Sequence, residues 1–194
     1  MRLRTARLSL RPLDGSDLGV IERINTDPEL MAHIHRGVPH SRGECRADLD
    51  RGLVTWGDYG YGTFVAERAA QLVGTVGFGR PDWCPSALPG VDIGWTIVQE
   101  HQRHGYATEA GAALLSWFFD GGLGGRVVGI HNTDNPRSGA VMRRLGMVWL
   151  RQLRHPALGY PIELWEAAAA TWRPPTRADG SAATSARRAV DDGP

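Results

Sequence analysis

The sequence predicts an α/β fold: one domain with helices packed on a single, mostly antiparallel mixed sheet. Three observations carry this. Strand-like and helix-like segments alternate between residues 91 and 168. Two helical patterns and a hairpin precede them, between residues 14 and 78. The composition then changes at Arg173, so the domain is expected to span residues 1–172 and a tail residues 173–194.

The elements follow in order. Residues 4–12 alternate weakly around Leu8 and Leu10 and read as a first strand. Asp14 resembles an N-cap, with Leu18, Ile21 and Ile24 at helical spacing and Asp27-Pro28 as the stop. Ser41 and Glu44 have the spacing of a capping box, opening a second helix that runs to about Val54. Residues 62–68 and 71–78 read as a hairpin turning at Ala69-Ala70, and 80–90 as a proline-rich loop. Val91 to Val98 is a strand rich in β-branched and aromatic residues. A helix over 105–120, a strand over 126–131, a helix over 136–145 and strands over 147–154 and 162–168 complete the domain. The tail has too few large apolar residues to offset its ordering entropy and is expected to be disordered.

Composition narrows the function classes. Of the 194 residues, 42% are apolar and 22% charged, as in an ordinary globular protein. The formal net charge of +1 provides no global attraction to nucleic acid or membrane, and neither is expected as a partner. All 22 basic residues are arginine, so no lysine can act as a Schiff-base nucleophile. Cys45 and Cys84 form neither a metal-ligand spacing nor a disulfide framework. No segment has the apolar length of a signal peptide core or a membrane span, so a cytoplasmic location is expected.

The most informative stretch runs from Val91 to Ala110. A strand ends, and a helix begins just after Gln102-Arg103-His104-Gly105-Tyr106-Ala107. The first N–H groups of a helix lack internal partners and, with the helix dipole, make an anion site. Gly105 permits close backbone approach, Ala107 keeps the entry open, and Arg103 and His104 add positive charge.

Here the chain resembles the GNAT superfamily of acyl-coenzyme A-dependent N-acetyltransferases, and within it the ribosomal-protein N-terminal acetyltransferase branch. The family's pyrophosphate loop, Gln/Arg-x-x-Gly-x-Gly/Ala, matches Gln102 to Ala107. The branch's preceding strand pattern matches Asp92-Ile93-Gly94-Trp95, and its continuation matches Gly105 to Ala110. Its second motif matches Asn135-Pro136-Arg137-Ser138 followed by Leu145-Gly146-Met147, and its opening strand resembles Arg4 to Pro12. The resemblance covers residues 1–170. It implies a sheet splayed at the coenzyme site, with acetyl-coenzyme A as co-substrate and no metal. It also implies coenzyme contacts from Trp95, Ile97, Gln102, Arg103, His104, Gly105, Tyr106, Ala107, Thr108 and Asn135. Asn135 reads equally as the N-cap of the helix starting at Pro136.

Direct acetyl transfer to an amine needs a neutral amine, a polarised thioester and a proton for the departing thiolate. Many family members supply that proton from a tyrosine where this chain has Met142. The branch implies Ser138 as donor instead, while its bland reading is a first-turn serine. Asp92 is the carboxylate best placed as base, and it reads equally as a cleft charge paired with an arginine. Glu67 and His131 are weaker base candidates; Glu109 reads as a complement to the helix dipole. His33 and His35 fall where the family binds acceptors but read more simply as surface histidines. Trp117 is expected in the core, and Trp56 and Trp83 in loops near the acceptor mouth. The acceptor is a peptide N-terminus or a small amine, acted on by a monomer or homodimer. A silent coenzyme A-binding module and an aminoglycoside-type N-acetyltransferase stand as alternatives.

Overall fold

The computed structural model describes residues 1–34, 37–81, 90–156, 158–175 and the backbone of 187–188. The expected first strand is two: β1 (Leu3–Arg4) and β2 (Ser9–Pro12) pair antiparallel around a tight turn. The Thr5 N–H donates to Leu8 O at 2.9 Å, a bond that the alternation of Leu8 and Leu10 does not reveal.

Helix α1 (Leu18–Asn25) starts three residues later than expected. Asp14 caps the turn before it, accepting from the Ser16 hydroxyl and N–H, and these donors hold its carboxyl below the usual carboxylate range. Asp17 precedes the helix and is buried, with both oxygens on the Arg11 guanidinium at 2.7 Å. Asp27-Pro28 does end α1, but it also starts a short helix, α2 (Pro28–Met31), with Asp27 accepting from Glu29 and Leu30 N–H.

The capping box forms: Ser41 N–H donates to Glu44 at 2.7 Å and Glu44 N–H to Ser41 Oγ at 3.4 Å. Helix α3 (Arg42–Tyr59) runs five residues past Val54, to Gly60 in the left-handed conformation. Trp56 therefore lies on this helix and not in a loop as expected. Its indole N–H donates to Thr63 O at 2.8 Å and its ring meets Phe64 edge-on.

β3 (Thr63–Arg68) and β4 (Gln71–Gly79) form the expected hairpin. Ala69 and Ala70 both have positive φ, as a two-residue turn between twisted strands requires. The remaining elements are β5 (Val91–Ile97), a 3-10 turn at Gln99–His101 and α4 (Tyr106–Asp120). They are followed by β6 (Arg126–Asn132), α5 (Pro136–Arg144), β7 (Val148–Arg154) and β8 (Pro161–Ala168). Arg187–Arg188 form a two-residue β9 beside β1. The other tail residues from 176 onward, and Trp83 and Cys84 in the expected loop, lie outside the described residues, as does His35.

One sheet runs β7-β8-β6-β5-β4-β3-β2-β1-β9, antiparallel throughout except between β5 and β6. Helix α4 packs its Leu114, Leu115 and Phe118 against Phe64, Val76, Phe78 and Ile93, all nearly inaccessible to solvent. Trp117 borders this core, in ring contact with Trp56, Phe64 and Phe78.

Candidate active site

The parallel pair β5–β6 is in register only at Val91 with Val127 and Asp92 with Val128. Beyond Asp92 the strands part: β5 stays on β4 through Ile97, while β6 stays on β8 through Asn132. Two bonds fix which groups face the gap. Val98 N–H donates to Val73 O at 3.0 Å, and Phe78 N–H points away from β5, donating to Gly62 O at 3.1 Å. Strand alternation then turns the backbone of Gly94 and Thr96 to β4 and that of Ile93, Trp95 and Ile97 to the gap. An extended chain laid there would meet the N–H groups of Trp95 and Ile97 and the Trp95 carbonyl.

The end of this edge is joined to the helix that follows. Gln102 Nε2 donates to the gap-facing Ile97 carbonyl at 3.1 Å. Arg103 has φ +63 and Gly105 φ +77, the left-handed region where a side chain costs roughly 1–2 kcal/mol. Strain of this kind gathers at ligand sites. It turns the loop sharply into α4, whose first-turn N–H groups have no partner within the helix. Among the described residues no side chain caps them either.

A cavity of about 1340 Å³ lies against this helix start and the open edge of β5. Trp95, Ile97, Gln102, Arg103, Gly105, Tyr106, Ala107, Thr108 and Asn135 all border it, as the sequence reading grouped them. His104 does not: its ring stacks on Tyr106, its Nδ1 meets Gln102 O at 2.7 Å, and its carbonyl accepts from Arg7. The expected charge at His104 is therefore turned away from the cavity, and arginines supply it instead.

Arg7, Arg137 and Arg144 join Arg103 around the cavity, and sequence reasoning missed all three. A signal for two of them was present, since Arg137, Val141 and Arg144 sit at i, i+4 and i+7 on one face of α5. Nothing local marked Arg7, which arrives from 97 residues away in sequence. Its guanidinium lies 4.6 Å from the centroid of the Tyr106 ring and donates to His104 O at 2.9 Å. Glu109, expected to serve the helix dipole, also holds that turn. It accepts from Thr5 Oγ1 at 2.6 Å, Arg7 N at 2.8 Å and Arg7 Nε at 2.6 Å.

A second cavity of about 370 Å³ opens along β5, and both cavities border Trp95, Thr96, Asn135 and Ser138. Asn135 caps α5, its Oδ1 accepting from Ser138 N–H at 3.2 Å, and it also lines both spaces. The half-buried Ser138 hydroxyl has no hydrogen bond to any described residue. Asp92 faces the smaller cavity, with Oδ1 packed over Gly79. His33 borders both cavities.

Of the weaker candidates, Glu67 is excluded from the site. It lies on β3 in ion pairs with Arg11 at 2.9 Å and Arg2 at 3.5 Å. His131 instead lines the smaller cavity, with Nδ1 2.8 Å from Asn132 O and Nε2 3.2 Å from Glu163 Oε2. Met142 is buried beneath the same cavity. Among the described residues, no three His, Cys, Asp or Glu side chains gather as metal ligands.

Known proteins resemble this chain in sequence or in architecture. A curated relative, the uncharacterized protein YkkB of Bacillus subtilis (strain 168), is 24% identical over 176 residues, covering 85% of this chain and 94% of its own. The solved acetyltransferase (GNAT family) from Bacillus anthracis superposes with a TM-score of 0.72 at 21% identity, over 88% of this chain and 99% of that one. RimL, described as a ribosomal L7/L12 alpha-N-protein acetyltransferase in complex with coenzyme A, gives 0.73 at 16% identity, over 87% and 98%. The model of the acetyltransferase (GNAT) domain matches residues 7–148, which include β2 to α5, the open edge, the smaller cavity and most of the lining of the larger one. The chain belongs to the GNAT acetyltransferase family.

Proposed function

We propose that this chain is an N-acetyltransferase that moves an acetyl group from acetyl-coenzyme A to a primary amine by direct attack. One observation carries the proposal: the larger cavity borders an uncapped helix start and an open strand edge, and meets a second cavity beside Ser138. The first-turn N–H groups of α4 and Arg103 suit a pyrophosphate, with Ala107 and Thr108 leaving room beside it. The gap-facing groups of Trp95 and Ile97 suit the amides of a pantetheine arm, and Asn135 borders the junction. One of those N–H groups would also polarise the thioester carbonyl as it becomes an oxyanion.

The amine enters through the smaller cavity. Asp92 is its counter-charge there and the carboxylate by which a first proton leaves the ammonium. Ser138 donates to the sulfur as negative charge develops on it. Asp92 is the one carboxylate among the described residues lining this cavity, which favours a single amine over a polycationic aminoglycoside. The likeness to an alpha-N-protein acetyltransferase makes a peptide N-terminus the first acceptor to try, followed by small primary amines. The proposed setting is the cytoplasm.

Calorimetric titration with acetyl-coenzyme A tests the reading. Binding at tens of micromolar or tighter is expected, and no heat at that concentration would sink it. Gly105→Val should weaken binding by more than tenfold while keeping the fold, since a β-branched residue resists φ +77. The buried Met142, in place of a donor, favours one second reading, a silent coenzyme-binding module. Coenzyme A release with a panel of peptides and amines separates the two, since a silent module shows none.

A further inference from the structure

The coenzyme proposed above carries three phosphates, and the start of α4 accounts for two of them. The pyrophosphate meets the partial positive charge of a helix N-terminus, about +0.5, together with the guanidinium of Arg103. The third phosphate is a monoester on the 3′ carbon of the ribose, with a charge of about −2 near neutral pH. Only further cations match that charge.

The larger cavity supplies them on one side. Arg7 borders it, but its Nε is held by Glu109 at 2.6 Å. Arg137 and Arg144 border it from α5, and neither is in an ion pair with any described residue. The lining also includes the carboxylates Glu29 and Asp134, and neither of these pairs with a described arginine. Arg143 is turned elsewhere, with its guanidinium 6.0 Å from the Trp165 ring centroid.

Two contacts fix how the α5 face lies. Arg137 Nη1 approaches Gln102 Oε1 at 3.5 Å, beside the loop that leads into α4. Leu145 packs on Gly111, where a Cβ would come within 3.0 Å of its Cδ1. The two helices therefore run side by side away from the open edge. Thr108 of α4 and Ala140 and Val141 of α5 border the cavity between them, and these small side chains leave room for a ribose. Arg144 stands a further two turns along α5 from Arg137, roughly 10 Å at 1.5 Å per residue.

We infer that Arg137 and Arg144 hold the 3′-phosphate of the coenzyme, so that the protein selects coenzyme A over its 3′-dephospho form. The inference rests on the acetyltransferase reading. Arginine suits the role, because its fork presents paired N–H donors to phosphate oxygens and stays charged at neutral pH. Arg144 also complements the dipole at the C-terminal end of α5, a role that would affect stability and not ligand choice.

The test is calorimetric titration of the full chain with coenzyme A and with 3′-dephospho-coenzyme A at low salt. The wild type should bind coenzyme A about tenfold more tightly, and the preference should shrink as salt is raised. Arg137→Gln and Arg144→Gln should each weaken coenzyme A binding about threefold and leave the dephospho form nearly unchanged. The double variant should bring the two affinities together. Arg103→Gln, at the pyrophosphate, should weaken both forms alike. Arg137 and Arg144 are both exposed, so their variants should melt as the wild type does.

Equal wild-type affinity for the two forms overturns the inference and leaves the acetyltransferase reading standing. An equal loss of both forms in the double variant overturns it too. If the double variant does not fold, Arg144→Gln alone decides by the same comparison. Binding of neither form by the wild type overturns the acetyltransferase reading, and this inference with it.

Discussion

Gly94 shows how much of the site depends on a missing side chain. It lines the smaller cavity, and a Cβ built there meets nothing within 4 Å, whereas one on its cross-strand partner Gly77 would strike Thr63 Cα at 2.4 Å. Gly77 is therefore required for strand packing, and Gly94 only for open space. Gly94→Val should leave thermal stability unchanged, because valine suits a strand. It should raise the KM of the amine about tenfold, the effect of roughly 1.4 kcal/mol, without altering acetyl-coenzyme A binding by calorimetry. Weaker coenzyme binding instead would mean that the two cavities have been assigned the wrong way round. Ser138→Ala should reduce kcat about tenfold, the scale of one charge-assisted hydrogen bond of about 1.5 kcal/mol, and leave both KM values in place. At this scale much of the site was legible, because Gln102, Gly105, Asn135 and Ser138 belong to local patterns. The contact of His131 with Glu163 was not legible, since it depends on the register between β6 and β8, which no local spacing records.

At the scale of elements, the N-terminal turn acts as a strap on the coenzyme helix. Thr5 and Arg7 reach across to Glu109, so α4 is fixed at the end that faces the cavity. A second clamp stands at the start of α1, where Arg11 joins Asp17 at 2.7 Å and Glu67 at 2.9 Å, and these carboxylates raise the guanidinium's pKa further. Asp17 also accepts from Asp14 N–H at 2.8 Å. Asp17→Asn should lower stability by about 2–3 kcal/mol in urea at neutral pH, as a half-buried arginine loses its main partner. A loss below about 0.5 kcal/mol would show the pair to be no stronger than an exposed surface bridge. The aspartates also explain why the boundaries near the N-terminus moved. Asp14, Asp17 and Asp27 all suit helix starts, and spacing alone does not tell a cap from an ion-pair partner. Ser41 and Glu44 form a reciprocal pair, which specifies a start by itself, and that start was read correctly.

Across the whole molecule, function follows from a sheet that fails to close. The α/β class and the order of elements from β3 onward were visible in periodicity, because most of these elements bury a face against α4 or the sheet; β7, exposed along nearly its whole length, was visible only in its strand-forming residues. The divergence of β5 from β6 was legible only through family resemblance. Both strands carry apolar, β-branched residues, and nothing in Ile93 to Ile97 announces that its outer edge is left unpaired. Hydrogen exchange reads that edge directly. Without coenzyme, the amides of Trp95 and Ile97 face the gap and should exchange fast, while those of Gly94 and Thr96, bonded to β4, should be protected. Saturating acetyl-coenzyme A should slow Trp95 and Ile97 by at least about tenfold and leave Gly94 and Thr96 nearly unchanged. The alternation itself is the diagnostic, since general tightening of the fold would slow all four together. Protection spread evenly over the strand would place the coenzyme arm elsewhere and leave the open edge without the role proposed for it.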